Sequence, residues 1–118
     1  ELAPAVETGI AVDSCHAFAA GYDFRRPAEV SRMIADVDRT VGLDAIRLLH
    51  VNDSRDAPGS RRDRHQHIGR GTIGRKGLLN LLSHPALAGL PMILETPWES
   101  VEVDRRNLKA VLELLGPP

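Results

Sequence analysis

The sequence predicts an α/β fold in which parallel strands are joined by helical crossovers. Three short apolar runs are each followed by a segment with helical spacing, and every run ends in a side chain able to bind a metal: Asp13, His50 and Glu95. Strands that alternate with amphipathic helices imply parallel pairing. Folds of this kind build their sites at the carboxyl ends of the strands. Three residues far apart in sequence are therefore expected to converge on one mouth.

Thr8-Gly9-Ile10-Ala11-Val12 is the first strand, over 8–13. Its apolar, partly β-branched run stops at Asp13. Residues 1–7, with Pro4, resemble the end of an incoming connection. After the strand, Asp13-Ser14-Cys15-His16 leads into a small-residue segment up to Gly21. A helix is expected from Pro27, a residue that suits a first turn. Its inner face would be Val30, Met33, Ile34, Val37 and Val41, with Gly42 as stop.

Ile46-Arg47-Leu48-Leu49 starts the second strand, over 46–51, followed by a long polar loop from Ser54 to Gly74. Leu78, Leu79, Leu81 and Leu82 mark a short helix that ends near His84-Pro85. Met92-Ile93-Leu94 is the third strand, over 92–95. The last helix is expected from about Asp104 to Leu115, with Leu108, Val111, Leu112 and Leu115 inward and Gly116 as stop. Three strand–helix units are too few to close a barrel of eight. The chain reads as the last three βα units of a larger (β/α)8 barrel.

The bulk properties are those of one ordinary domain: 118 residues, 42% hydrophobic, 26% charged. No apolar run approaches the ~20 residues that span a bilayer, and the start carries no signal-peptide pattern. The single cysteine, Cys15, excludes an internal disulfide. It fits a reducing compartment, so a cytoplasmic location is expected. Net charge is -1, but residues 55–76 hold seven Arg or Lys against two Asp. A basic loop on an otherwise acidic chain points to an anionic partner met at one face.

Within that loop, Arg61-Arg62-Asp63-Arg64-His65-Gln66-His67-Ile68-Gly69 has no apolar periodicity. Imidazoles and carboxylates suit a zinc-class cation, and guanidinium groups suit phosphate. Asp63 and His65 are two residues apart, so an extended loop points both the same way; His67 continues the alternation. Asp13 also suits a helix N-cap, with His16 three residues later able to face the same cation. Glu95 directly follows an apolar run, where a buried charge is costly unless paired or metal-bound. Cys15 reads as a small buried residue, His84 as a surface loop residue, and Trp98 as either a mouth or a packing residue. Asp13, His16, His50, Asp63, His65 and Glu95 are too many for one tetrahedral zinc and suit a multi-metal cluster. Clustered metals are a common device for phosphodiester cleavage.

Asp13-Ser14-Cys15-His16-Ala17-Phe18-Ala19-Ala20-Gly21-Tyr22-Asp23, Leu49-His50-Val51-Asn52-Asp53-Ser54, Gly59-Ser60-Arg61-Arg62-Asp63-Arg64-His65 and Ile93-Leu94-Glu95-Thr96-Pro97 resemble, in order, the signature segments of endonuclease IV. Ile68-Gly69-Arg70-Gly71-Thr72-Ile73-Gly74 resembles the segment that follows. The resemblance implies the carboxyl-terminal part of an xylose-isomerase-like TIM barrel, one partial AP endonuclease domain over residues 1–118. It implies three zinc ions per complete enzyme and fewer in this segment. Asp13, His50 and Glu95 would share one zinc with a bridging glutamate from the absent units, so that Glu95 and Asp13 serve catalysis through bound zinc. His16, Asp63 and His65 would hold another, Arg64 would contact a backbone phosphate, and His67 has no counterpart among the ligands. The reaction implied is hydrolysis of the phosphodiester 5′ to an abasic site in double-stranded DNA, during base-excision repair. The absent amino-terminal barrel half would be a required partner, and the segment alone is expected to be inactive. The alternatives are a metal-dependent sugar isomerase or epimerase of the related barrels, and a non-catalytic metal- or DNA-binding remnant.

Overall fold

The computed structural model describes residues 7–117, so the incoming connection read at 1–7 lies, apart from Glu7, outside the described residues. The elements follow in order: β1 (Ile10–Asp13), α1 (Ser14–Ala20), α2 (Pro27–Thr40), β2 (Ile46–His50), β3 (Asp53–Ser54), β4 (His65–Gln66), α3 (Gly74–Leu82), β5 (Met92–Ile93) and α4 (Val101–Leu115). β1, β2 and β5 form one parallel sheet in the order β1-β2-β5. The three strand–helix units are therefore the expected ones, laid side by side.

Register does the first work of building the site. Asp13 pairs with His50, and His50 pairs with Ile93, two residues before Glu95. The three strand ends are thus level at the same edge of the sheet. The core beneath them joins Val12 and Leu49 of the sheet to Phe18, Phe24, Val30, Met33, Leu78, Leu81, Leu87 and Val111. Phe18 and Phe24 are fully buried with ring centroids 6.4 Å apart. Truncating a buried aromatic of this kind costs about 3–5 kcal/mol. α2 packs on α3, and α3 on α4.

The structure corrects four sequence expectations. The small-residue segment after β1 is a helix, α1, because the Asp13 carboxylate caps it and Gly21, at φ 124°, ends it. A run of Ser, Cys, His, Ala and Phe lacks amphipathic contrast, since α1 is packed on several sides. The long polar loop contains an antiparallel ribbon in which Asp53 pairs with Gln66 and Ser54 with His65. Val41 is the exposed cap of α2, one residue past its last turn.

The fourth correction concerns α4, which starts at Val101 with Ser100 as its N-cap (side chain to Val103 N–H, 3.1 Å) rather than near Asp104. Its buried residues are Asn107, Ala110 and Val111. Leu108, Leu112 and Leu115, expected inward, are exposed, as are Val101 and Trp98. The helix has two apolar faces, and only one is covered by the described residues. No helix among the described residues is long and apolar enough to cross a membrane.

Candidate metal centre

The loop that carries Asp63 and His65 is held from below by Asp53, a residue with no solvent exposure. Its Oδ1 accepts the backbone N–H groups of Ser54 (2.8 Å), Ile73 (3.0 Å) and Gly74 (3.2 Å). Oδ2 accepts those of Gly69 and Gly71, both at 3.0 Å. One buried carboxylate thereby folds the 69–74 segment around itself. A Cβ at Gly71 would sit 2.3 Å from the Ser54 carbonyl oxygen and 2.5 Å from Asp53 Oδ1, so the close approach demands glycine.

Above this support, Asp13 Oδ1 accepts the His16 N–H at 2.9 Å, the N-cap bond of α1. Asp13 is therefore both cap and candidate ligand. Its other oxygen, Oδ2, faces His50 Nδ1 at 3.8 Å and His65 Nε2 at 3.6 Å. His50 Nδ1 meets Glu95 Oε1 at 2.5 Å. One donor atom from each of Asp13, His50 and Glu95 lies within 4.8 Å of the others. Glu95 is half-exposed rather than buried, so the desolvation expected of it does not apply; its place beside His50 is what marks it.

A second group lies next to the first. His16 Nδ1 meets Asp63 Oδ2 at 3.1 Å, and His65 Nε2 meets Asp63 Oδ1 at 3.3 Å. His65 Nδ1 lies 2.8 Å from the Glu95 carbonyl oxygen. A carbonyl can only accept, so Nδ1 carries a proton and Nε2 is the ring nitrogen turned toward the two carboxylates. That is the arrangement of a metal-binding imidazole oriented by a backbone partner. Burial pushes the Asp63 carboxyl up, but hydrogen bonds from His16 and Cys15 and the nearby His65 outweigh it and hold the group below its ordinary value.

Cys15 also falls within 4.8 Å of donor atoms of Asp63 and His65. Its Sγ lies 3.4 Å from the Arg64 carbonyl oxygen as well as facing Asp63, and burial, with the Asp63 and Asp13 charges adding, pushes the thiol up to about 12. It packs as a small buried residue. His67 points elsewhere: Nε2 to Glu99, Nδ1 to Asn107 Nδ2 at 3.0 Å. His84 accepts the Ala86 N–H in its own turn, and Trp98 stands 68% exposed. The Arg64 guanidinium is engaged by both oxygens of Asp56, at 2.9 and 2.5 Å.

Sequence reasoning missed Asn52, Asp53 and Arg55. The first two are buried polar residues directly after β2, and Arg55 Nε donates to the His65 carbonyl at 3.0 Å. Two adjacent Asx residues past a strand end were the available signal. The imidazole and carboxylate donors of both groups match the preference of zinc-class cations, so the residues present fit such an ion.

The sequence pattern of the family described as xylose isomerase-like TIM barrel matches residues 4–116. The chain is 43% identical over 109 residues to "Probable endonuclease 4" of Methanosphaerula palustris, covering 92% of this chain and 38% of that protein. It is 48% identical over 117 residues to the protein of the same name in Chloroflexus aurantiacus, covering 98% of this chain and 41% of that one. The crystal structure of endonuclease IV from Thermus thermophilus superimposes with a TM-score of 0.78 at 38% identity, over 91% of this chain and 38% of that one. The chain thus spans about two-fifths of the length of these relatives.

Proposed function

Since the chain belongs to the xylose isomerase-like TIM-barrel family, we propose that it is part of a zinc-dependent endonuclease that cleaves DNA 5′ to abasic sites. The observation that carries this reading is the Asp13–His50–Glu95 donor group at the carboxyl ends of three parallel strands, with His16 and His65 each meeting Asp63 beside it. Sharing of Asp13 Oδ2 between His50 and His65 brings the groups close enough for metal ions to act on one phosphate. Bound metal would supply Lewis-acid polarisation of a phosphoryl oxygen and acidification of a water.

The chain's own residues do the rest. Asp13 is fixed as a ligand by its cap bond, and His65 by the Glu95 carbonyl. Glu95 and Asp63, both half-exposed, face the solvent from which substrate arrives. Arg64 would meet a backbone phosphate by exchanging the Asp56 carboxylate for it. The arginines flanking Asp63 favour a polyanion over a neutral sugar.

The test uses the full coding sequence that contains this segment. Metal analysis beside a nicking assay on an abasic duplex should find zinc and a 3′-hydroxyl at the cut. Turnover of aldose sugars with no nicking would support the isomerase reading instead. Metal bound without either activity would leave a binding remnant.

A further inference from the structure

One buried side chain touches both anionic residues of the first donor group. Asn52 has no solvent exposure and sits two residues past His50. Its Nδ2–H donates to Asp13 Oδ2 at 3.1 Å, and its Oδ1 accepts the Glu95 backbone N–H at 2.7 Å. The amide cannot be turned round: the opposite orientation would set an oxygen against the Asp13 carboxylate and an NH2 against an N–H. Its backbone is clamped as well. The Ser14 hydroxyl donates to the Asn52 carbonyl at 2.6 Å, and lies 2.8 Å from the Asn52 N–H.

We infer that Asn52 is a positioning residue of the metal centre, aiming the Asp13 carboxylate and fixing the Glu95 backbone from a single amide that spans all three strand ends. This rests on the metal-binding reading above. Asp13 Oδ1 is spent on the α1 cap, so Oδ2 is the oxygen left for a cation, and Asn52 is the neutral donor that orients it. A neutral donor can do this without cancelling the ligand's charge, as an arginine or lysine would. Partners of this kind, behind the ligands, typically contribute ten- to a hundredfold to metal affinity.

The experiment is a stepwise Co2+ titration of the metal-free full coding product, read by d–d absorption and by chelator competition. Asn52→Leu keeps the branched shape and the number of heavy atoms, and removes both bonds. Asn107→Leu is the control, because Asn107 is also a buried amide that holds loop backbone (Ile68 N–H, 2.9 Å) but bonds neither Asp13 nor Glu95. Asn52→Leu should weaken one Co2+ step about ten- to a hundredfold and shift its bands, while Asn107→Leu leaves both unchanged. Unchanged Co2+ affinity and bands in Asn52→Leu, or equal losses in the two variants, would overturn the inference. If Asn52→Leu does not fold, the unsubstituted protein decides: the Asn52 side-chain amide 15N–1H signals should shift as Zn2+ fills the site, and signals that stay still would overturn it. An unsubstituted protein that binds neither Co2+ nor Zn2+ would instead sink the metal reading itself.

Discussion

Replacing Asp53 by Asn is the sharpest test of how the metal-bearing loop is held. The substitution preserves volume and one oxygen, but turns the other into an NH2 group. If Oδ1 stays an oxygen, the N–H groups of Ser54, Ile73 and Gly74 keep a neutral acceptor, while those of Gly69 and Gly71 face a donor at the former 3.0 Å. Two buried donors left unmet cost roughly 1–3 kcal/mol each. The surviving bonds lose their charge assistance, about half their strength. Allowing for relaxation and water entry, the loss should be about 4 kcal/mol, a large share of the ~5–15 kcal/mol that holds an ordinary domain. The opposite rotamer strands the Ser54 and Ile73 donors instead, since Gly74 N–H also reaches Oδ2 at 3.2 Å, so rotation offers no escape. The assay is urea unfolding of the full coding product, with amide hydrogen exchange at Gly69, Gly71, Ile73 and Gly74. A stability change below about 1 kcal/mol, with those amides still protected, would refute the claim that Asp53 organises the loop.

Four further outcomes are expected. His65→Ala should lower zinc content by about one ion and abolish nicking, whereas His67→Ala should leave zinc content unchanged, because His67 is turned toward Glu99 and Asn107. Arg64→Ala should flatten the log–log salt dependence of DNA binding by ~0.9 with zinc content intact; an unaltered slope would confine Arg64 to its pairing with Asp56. The Cys15 thiol, raised to about 12 in the folded chain, should resist alkylation at pH 8 until the chain unfolds. A raised thiol pKa stabilises below the unfolded value and is lost as pH climbs through the folded one, so the Cys15→Ala variant should show less loss of stability between about pH 9 and 12 than the parent. In the isolated 118-residue segment, the double change Leu108→Lys and Leu112→Lys should reduce light scattering, and in the full coding product it should lower the urea midpoint.

Much of the fold was legible because strand ends and helix starts are local chemistry. The runs ending at Asp13, His50 and Glu95 announce parallel strands, and Pro27 and Gly42 bracket α2 as their backbone preferences require. The face of α4 was not legible. An apolar stripe records that a helix seeks a partner, not that the partner lies in the same segment, so Leu108, Leu112 and Leu115 read like Val111, which alone of the four is buried, beside Asn107 and Ala110. The β3–β4 ribbon escaped because two residues carry no periodicity. At the site, the histidines and acids were visible as types in a pattern. Asn52 and Asp53 were quoted within a motif but had no assigned task, since a buried amide or carboxylate acts only through backbone groups that three-dimensional folding brings to it.

Among the described residues the three-stranded sheet leaves β1 and β5 each with one unpaired edge, while Asp13 and His50 end β1 and β2 and Glu95 follows β5 by two residues. Cutting a barrel along these two seams would leave one donor group whole in a single piece rather than dividing it between two. Three donors could meet an ion before the second piece docks, while the bridging glutamate implied for the same ion would arrive only with docking. A split enzyme made at these seams would report association through its metal content as well as its catalytic output, because docking would bring the ligands that this piece lacks.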